Sequence, residues 1–207
     1  MNKPYIICHM MSAVDGRIDC GMTEKIQGVK EYYATLNELK ATAFVSGKVT
    51  AELEMALPGK FQAQNMEALS EEGFSKKGQA ASYNVVVDTQ GALLWKKDND
   101  KQSALLIITS EKVTKEYLAY LDDKNISWIA CGKEYIDLVR ASEILHDEFG
   151  VERMAIVGGG HINAGFLDAG LLDEVSVLLG PAIDGRGGMA AMFDGWTESR
   201  SNCSLRA

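Results

Sequence analysis

Short apolar runs without polar alternation, separated by stretches of helical period, are the feature that most limits the folds open to this chain. Tyr5–Met11, Ala43–Ser46, Tyr83–Asp88, Ala104–Thr109, Ile126–Ala130, Met154–Val157 and Val175–Leu179 read as strands. Gly28–Lys40, Lys48–Ala56, Val113–Asp122, Glu134–Phe149 and Ile162–Ala169 read as helices. In Glu134–Phe149, for example, Ile136, Val139, Ile144 and Leu145 recur along one face. A half-solvated strand alternates apolar and polar residues, whereas one covered on both faces is apolar throughout. Helices between such strands supply the cover and the crossovers. The expected fold is therefore α/β, a three-layer arrangement of a mostly parallel central sheet with helices on both faces.

At 207 residues the chain is expected to form one domain. Residues 58–82 break the pattern, being polar and rich in Gln, Glu, Lys and Gly. They read as a long loop or insertion, lying either near the functional site or on the surface as a solvated excursion.

Charge and composition exclude several functions. The net charge is −8 and no cluster of Lys and Arg is present, which speaks against nucleic-acid binding. No apolar run approaches the ~18 residues of a membrane span. The N-terminal residues lack the apolar segment and cleavage site of a secretion signal, so a cytoplasmic location and no membrane partner are expected. Cys8, Cys20, Cys131 and Cys203 contain no CxxC pair and read as buried free thiols; with only three histidines, no metal site is expected.

The strongest chemical signal is Ile156-Val157-Gly158-Gly159-Gly160-His161-Ile162, where a strand ends, three glycines turn the chain and a helix begins. Backbone without Cβ allows close approach of a ligand, and a helix start offers unpaired N–H groups and a positive dipole end. Such a turn is a phosphate seat or, with no ligand, simply a tight connection. Val45-Ser46-Gly47-Lys48-Val49-Thr50 repeats the pattern, with Thr50 either meeting a phosphate or capping its own helix. Two seats suit a pyrophosphate better than a single phosphate. Ser12-Ala13-Val14-Asp15-Gly16-Arg17 is a turn after the first strand, or a polar loop at the mouth of a site. Ser110-Glu111-Lys112 offers a hydroxyl and an ammonium for an adenosine 2′-phosphate, or Ser110 as a helix cap. Asp15, Glu31 and His161 are candidate proton donors that only distances can rank. GxSxG, HExxH, GxxxxGK[ST] and GxGxxG are all absent.

Taken together, these segments resemble the riboflavin-biosynthesis reductase family, the RibD C-terminal domain, which has a dihydrofolate-reductase-like fold. The carriers are Pro4-Tyr5, Ser12-x-x-Asp15-Gly16-Arg17, Gly47-x-x-Thr50, Val85-Val86-Val87-Asp88-x-x-Gly91 and Gly158-Gly159-Gly160. Phe166-Leu167-x-x-Gly170-Leu171-Leu172-Asp173-Glu174-Val175 and Gly180-Pro181-Ala182-Ile183-x-Gly185 complete the set.

The resemblance implies an NADPH-dependent reductase, usually a homodimer, acting on a small heterocycle: a ribosylaminopyrimidinone 5′-phosphate reduced to its ribitylamino form. By motif match, Thr50, Asp88, Ser110, Gly158, Gly159, Gly160 and His161 fall on the cofactor side, and Ser12 and Asp15 near the substrate. Val175–Leu179 and the segment around Met189 and Met192 are the apolar candidates for a dimer surface.

Departures fall on the substrate side. Val157 stands where the family has Glu, Glu38 and Lys40 lie where an Arg is usual, and Glu52–Pro58 replaces a stretch that ends in Arg. Relatives also run on into a closing strand, so a truncated end is expected after Ala207. Two further readings stay open: a related reductase of another heterocycle or carbonyl compound, and an NADP(H)-binding protein without turnover.

Overall fold

The computed structural model describes residues 2–18 and 20–195, with the backbone alone at Cys20. The strands are β1 (Tyr5–Ser12), β2 (Ala43–Gly47), β3 (Gly73–Ser75), β4 (Ser82–Val87), β5 (Ser103–Thr109), β6 (Ser127–Ala130), β7 (Arg153–Gly158) and β8 (Glu174–Leu179). The helices are α1 (Cys20–Thr23), α2 (Val29–Glu38), α3 (Lys48–Glu54), α4 (Lys115–Asp123), α5 (Leu138–Asp147) and α6 (Gly160–Asp168).

One sheet carries all the strands in the order β3-β6-β5-β4-β2-β7-β1-β8. Every pairing is parallel except that of β3 with β6. Both faces are packed, as the unbroken apolar runs require. On one face Val45, Val85, Leu106 and Ile156 meet Ile144 and Leu145 of α5 and Phe166 of α6. On the other, Val86 and Ile107 meet Ala51 of α3 and Tyr117, Leu118 and Leu121 of α4. Buried Cys131 belongs to the first of these layers and buried Cys8 to a smaller cluster with Met10 and Ile18, and burial pushes both thiols up to about 12. They stay protonated and act as small hydrophobes. Cys203 lies outside the described residues, as does any strand after residue 195. Among the described residues no helix is long and apolar enough to cross a membrane.

Three local expectations are corrected. The helix expected at 134–149 begins only at Leu138, where the Asp137 side chain accepts the Arg140 N–H at 3.0 Å and caps it. The helix expected from 113 begins at Lys115, and its cap is Thr114 rather than Ser110.

Residues 58–82 are not all loop. Gly73–Ser75 adds a short antiparallel edge strand to β6, with Gly73 against the Trp128 ring and Phe74 edge-on to Phe149. The part of that segment before it runs along α4, where the Gln64 and Asn65 N–H groups bond the Glu116 carboxylate at 2.8 and 2.7 Å. It is a surface strap rather than a loop beside the cavity described below.

Candidate active site

Because β2 and β7 are parallel neighbours, their C-terminal ends finish side by side. This brings together two turns that are far apart in sequence. The β2–β7 register slips between Val45 and Ser46, setting Ser46 opposite Gly158 and leaving Val157 as the extra residue. Gly158 has φ 148, a conformation that L side chains rarely adopt. A Cβ on Gly47 would stand 2.8 Å from Ile162 Cγ1, so the start of α3 lies directly on α6.

Thr50, in the first turn of α3, holds its hydroxyl 3.5 Å from the Cβ position of Gly158 and 3.9 Å from that of Gly159. Among the described residues beyond their chain neighbours, nothing else comes within 4 Å of those two positions. The result is bare backbone with one hydroxyl over it. The Gly159 carbonyl accepts the N–H groups of Ile162 and Asn163 at 3.0 and 3.1 Å and starts α6. The first N–H groups of that helix have no intrahelical partner. The cap of α3 is Gly47, without any side-chain capping bond. The capping alternative for Thr50 is thereby overturned, and its hydroxyl is available to an incoming group.

A cavity of about 320 Å³ opens from this turn, within the range of small-ligand sites. Its walls are the glycine turn with Thr50, the strand residues Met10, Met11, Phe44, Ser46 and Asn84, and the stripe Val29, Tyr32, Tyr33 and Leu36 of α2. Glu24, Glu54 and Met55 also line it. The α2 stripe has the spacing of an amphipathic helix, yet none of its residues is buried in the core. The cavity, not the core, is what it faces. Sequence reasoning missed this wall, although the 29, 32, 33, 36 spacing was there to be read.

Of the residues singled out from sequence, Thr50, Gly158 and Gly159 line the cavity together. Gly160 and His161 lie just beyond, under the C-terminal segment. A Cβ on Gly160 would collide with the Ala191 carbonyl, and the Cβ position of Gly195 is 2.5 Å from the His161 ring. Asn163 donates to the Met192 carbonyl at 2.6 Å, and Met192 packs on the Cys8, Met10 and Ile18 cluster rather than forming an open apolar surface.

Asp88 and Ser110 knit the loops after β4 and β5. Asp88 is buried, and its Oδ2 accepts the N–H groups of Ala92 and Leu93 at 2.7 and 2.9 Å. Its Oδ1 has no hydrogen bond and stands 4.0 Å from the Lys48 ammonium. Buried Ser110 donates to the Thr89 carbonyl at 3.0 Å, while Lys112 pairs with Glu134.

Ser12 ends β1, fully buried with an unbonded hydroxyl. Asp15 sits on the surface and accepts the Gly185 and Asp184 N–H groups at 2.9 and 3.3 Å. Those bonds, that of Gly185 first, hold its carboxyl below the usual carboxylate range, so it stays ionised at neutral pH. None of Asp15, Glu31 and His161 lines the cavity; its titratable residues among those described are Glu24, Glu54, Tyr32 and Tyr33.

The chain is 33% identical over 94 residues to the 2,5-diamino-6-ribosylamino-4(3H)-pyrimidinone 5′-phosphate reductase of Methanothermobacter thermautotrophicus, a match covering 45% of this chain and 43% of that protein. Among solved structures it superposes on Acinetobacter baumannii RibD with a TM-score of 0.67 at 18% identity, covering 100% of this chain and 53% of that one. A pyrimidine reductase-like protein of Corynebacterium diphtheriae gives a TM-score of 0.65 at 17% identity, covering 95% of this chain and 84% of that one. The chain thus spans about half the length of the first two. These structural neighbours share the dihydrofolate-reductase-like fold, and the family of reductases they represent implies a nicotinamide cofactor. The model of the RibD C-terminal domain matches residues 4–205, and the chain belongs to that family.

Proposed function

We propose that this chain is a cytoplasmic, NADPH-dependent reductase whose substrate is a ribosylaminopyrimidinone 5′-phosphate or a close heterocyclic relative. The observation that carries the reading is the meeting of the Thr50 hydroxyl with the bare Gly158–Gly159 backbone in the wall of the cavity. The site fits the cofactor in a simple steric sense, because the space a Cβ would fill is left open for a phosphate oxygen. Bound there, the nicotinamide would supply a hydride to the C1′ carbon of the ring-opened imine. The chain's own residues hold and orient. Thr50 and the first N–H groups of α6 take the phosphate charge. The apolar lining, with Met10, Met11, Phe44 and Leu36, excludes water from the rest of the cavity.

A titration with NADPH and NADH, followed by NADPH consumption in the presence of the pyrimidinone 5′-phosphate, tests the assignment. Micromolar binding with turnover supports it, and absence of binding to either nucleotide removes it. Thr50→Ala is expected to weaken NADPH by about 1 kcal/mol, roughly fivefold in Kd, with the melting temperature unchanged. A drop in melting temperature with undiminished affinity would return Thr50 to a structural role.

One observation favours the second reading, a reductase of an unphosphorylated heterocycle. The ionisable lining residues among those described are two glutamates and two tyrosines, and Val157 takes a wall position. A substrate phosphate would gain little from such walls. Comparing turnover of the phosphate and its dephosphorylated form decides between the two.

We also infer a homodimer. The edge strand β8 exposes Val177 and Leu179, at 40% and 65%, and an open apolar edge invites pairing. Sedimentation at twice the chain mass of 22.6 kDa, lost in Leu179→Asp, is the expected result. A monomer at micromolar concentration would overturn it.

A further inference from the structure

The helix α2 forms one wall of the cavity while burying none of its own residues in the core. Ten residues of helix are marginal without tertiary support, so whatever holds α2 sets the shape of that wall. Its C-terminal end is held by Arg153, whose Nε donates to the Leu39 carbonyl at 3.0 Å. Its middle is held by His9 of β1. The His9 ring is fully buried and stacks on Tyr32, with centroids 4.5 Å apart and planes 14° from parallel. His9 Nε2 lies 3.1 Å from the Tyr32 carbonyl, and Nδ1 lies 3.0 Å from Ser176 Oγ on β8. A carbonyl only accepts, so Nε2 carries the proton, and in the neutral ring Nδ1 accepts from the Ser176 hydroxyl. The Tyr32 hydroxyl returns a long bond to the His9 carbonyl at 3.4 Å.

We propose that His9 is a positioning residue: by holding Tyr32 it fixes the α2 wall, and it thereby sets substrate affinity without setting cofactor affinity. The selectivity follows from placement. The phosphate seat is built by α3 and the β7–α6 turn, whereas the hydrogen bonds of the His9 ring go to Tyr32 of α2 and Ser176 of β8. The inference rests on the reductase reading only in taking that wall to meet the substrate.

Burial holds the His9 ring below its ordinary value of 6.5, against the opposing pull of the Tyr32 carbonyl and Glu174. From β8 the charged group is Glu174; from α2 the titratable group is the Tyr32 phenol. β7 contributes Arg153, which lies at its far end over the Tyr5 ring. A base whose value is lowered on docking favours the docked arrangement above pH 6.5 and loses it as pH falls through the lowered value. Substrate KM is therefore expected to rise on acidification below that point in the wild type and not in a variant lacking the imidazole.

His9→Phe keeps an aromatic ring for the stack and removes both hydrogen bonds. His9→Gln offers an amide N–H that can reach the Tyr32 carbonyl. With the NADPH-loaded protein and the pyrimidinone 5′-phosphate, His9→Phe should raise KM at least about tenfold with little change in kcat. NADPH Kd should stay within about twofold, and His9→Gln should recover most of the loss. Hydrogen exchange at about pH 7.5, above the ordinary histidine range, gives a readout without substrate. Amides of residues 29–38 should exchange at least about tenfold faster in His9→Phe, with residues 48–54 unchanged.

Parallel losses of NADPH and substrate affinity, or unchanged α2 exchange, overturn the proposal. If the wild type binds NADPH but does not reduce this substrate, the reductase assignment fails for it and the exchange measurement alone decides the positioning role. Should His9→Phe not fold, Tyr32→Leu breaks the same pair from the helix side and is read by exchange only.

Discussion

Gly159→Val is expected to fold as the wild type does and to lose NADPH affinity by at least about a hundredfold, ~2.7 kcal/mol. Both halves of that result come from the local geometry. Gly159 has φ −106 and ψ −167, an extended conformation that a β-branched residue adopts without strain. Among the described residues beyond its chain neighbours, its Cβ would meet nothing nearer than Thr50 Oγ1 at 3.9 Å, so the first atom of the new side chain enters without a clash. The melting temperature should stay within about 2 °C. The two added methyl groups, however, occupy the space in which a phosphate oxygen would approach the backbone. The adjacent glycines cannot serve as this probe. Gly158 has φ 148, and Gly160 is closed over by the Ala191 carbonyl, so a substitution at either disturbs the fold itself. Titration of Gly159→Val with NADPH, beside a thermal melt, settles the matter. A folded variant with wild-type affinity would remove the phosphate seat from this turn.

That contrast also shows what was readable in the sequence. The fold class follows from apolar runs that do not alternate, and the parallel order of the sheet bears it out. The run Gly158-Gly159-Gly160 is legible as a turn, but the three glycines answer to different causes. One meets a backbone conformation, one leaves open space, and one admits the segment around residue 191. Only the neighbouring of β2 and β7 shows which is which, and strand order is not written in any local pattern. The α2 stripe was hidden for a related reason. Val29, Tyr32, Tyr33 and Leu36 look like a core-facing helix surface, and apolar spacing does not say whether core or cavity lies opposite. His9 gave no signal at all, since one histidine in an apolar strand has no periodicity; its meaning comes from Tyr32 and Ser176, both distant in sequence.

The resemblance sets Asp88 on the cofactor side, and a pair of variants should separate two roles for it. Asp88→Ala is expected to cost about 3 kcal/mol of stability, because hydrogen bonds to a charged group contribute roughly 1.5–3 kcal/mol each and two backbone donors lose their acceptor. For a chain of this size the melting temperature should fall by roughly 6–12 °C. The donors are the Ala92 and Leu93 N–H groups, bonded to Oδ2 inside the turn that Gly91 helps to form. Asp88→Asn keeps an oxygen at that position and places an amide nitrogen where Oδ1 now lies unbonded, 4.0 Å from Lys48. Its stability should remain within about 1 kcal/mol of wild type, since partly exposed Lys48 can turn to solvent. The second measurement is NADPH affinity in Asp88→Asn. Unchanged affinity makes Asp88 a residue of the fold, holding the loop after β4 beside the cleft. A loss of about tenfold without loss of stability would instead give the unbonded Oδ1 a part in the cofactor site, through Lys48 or directly.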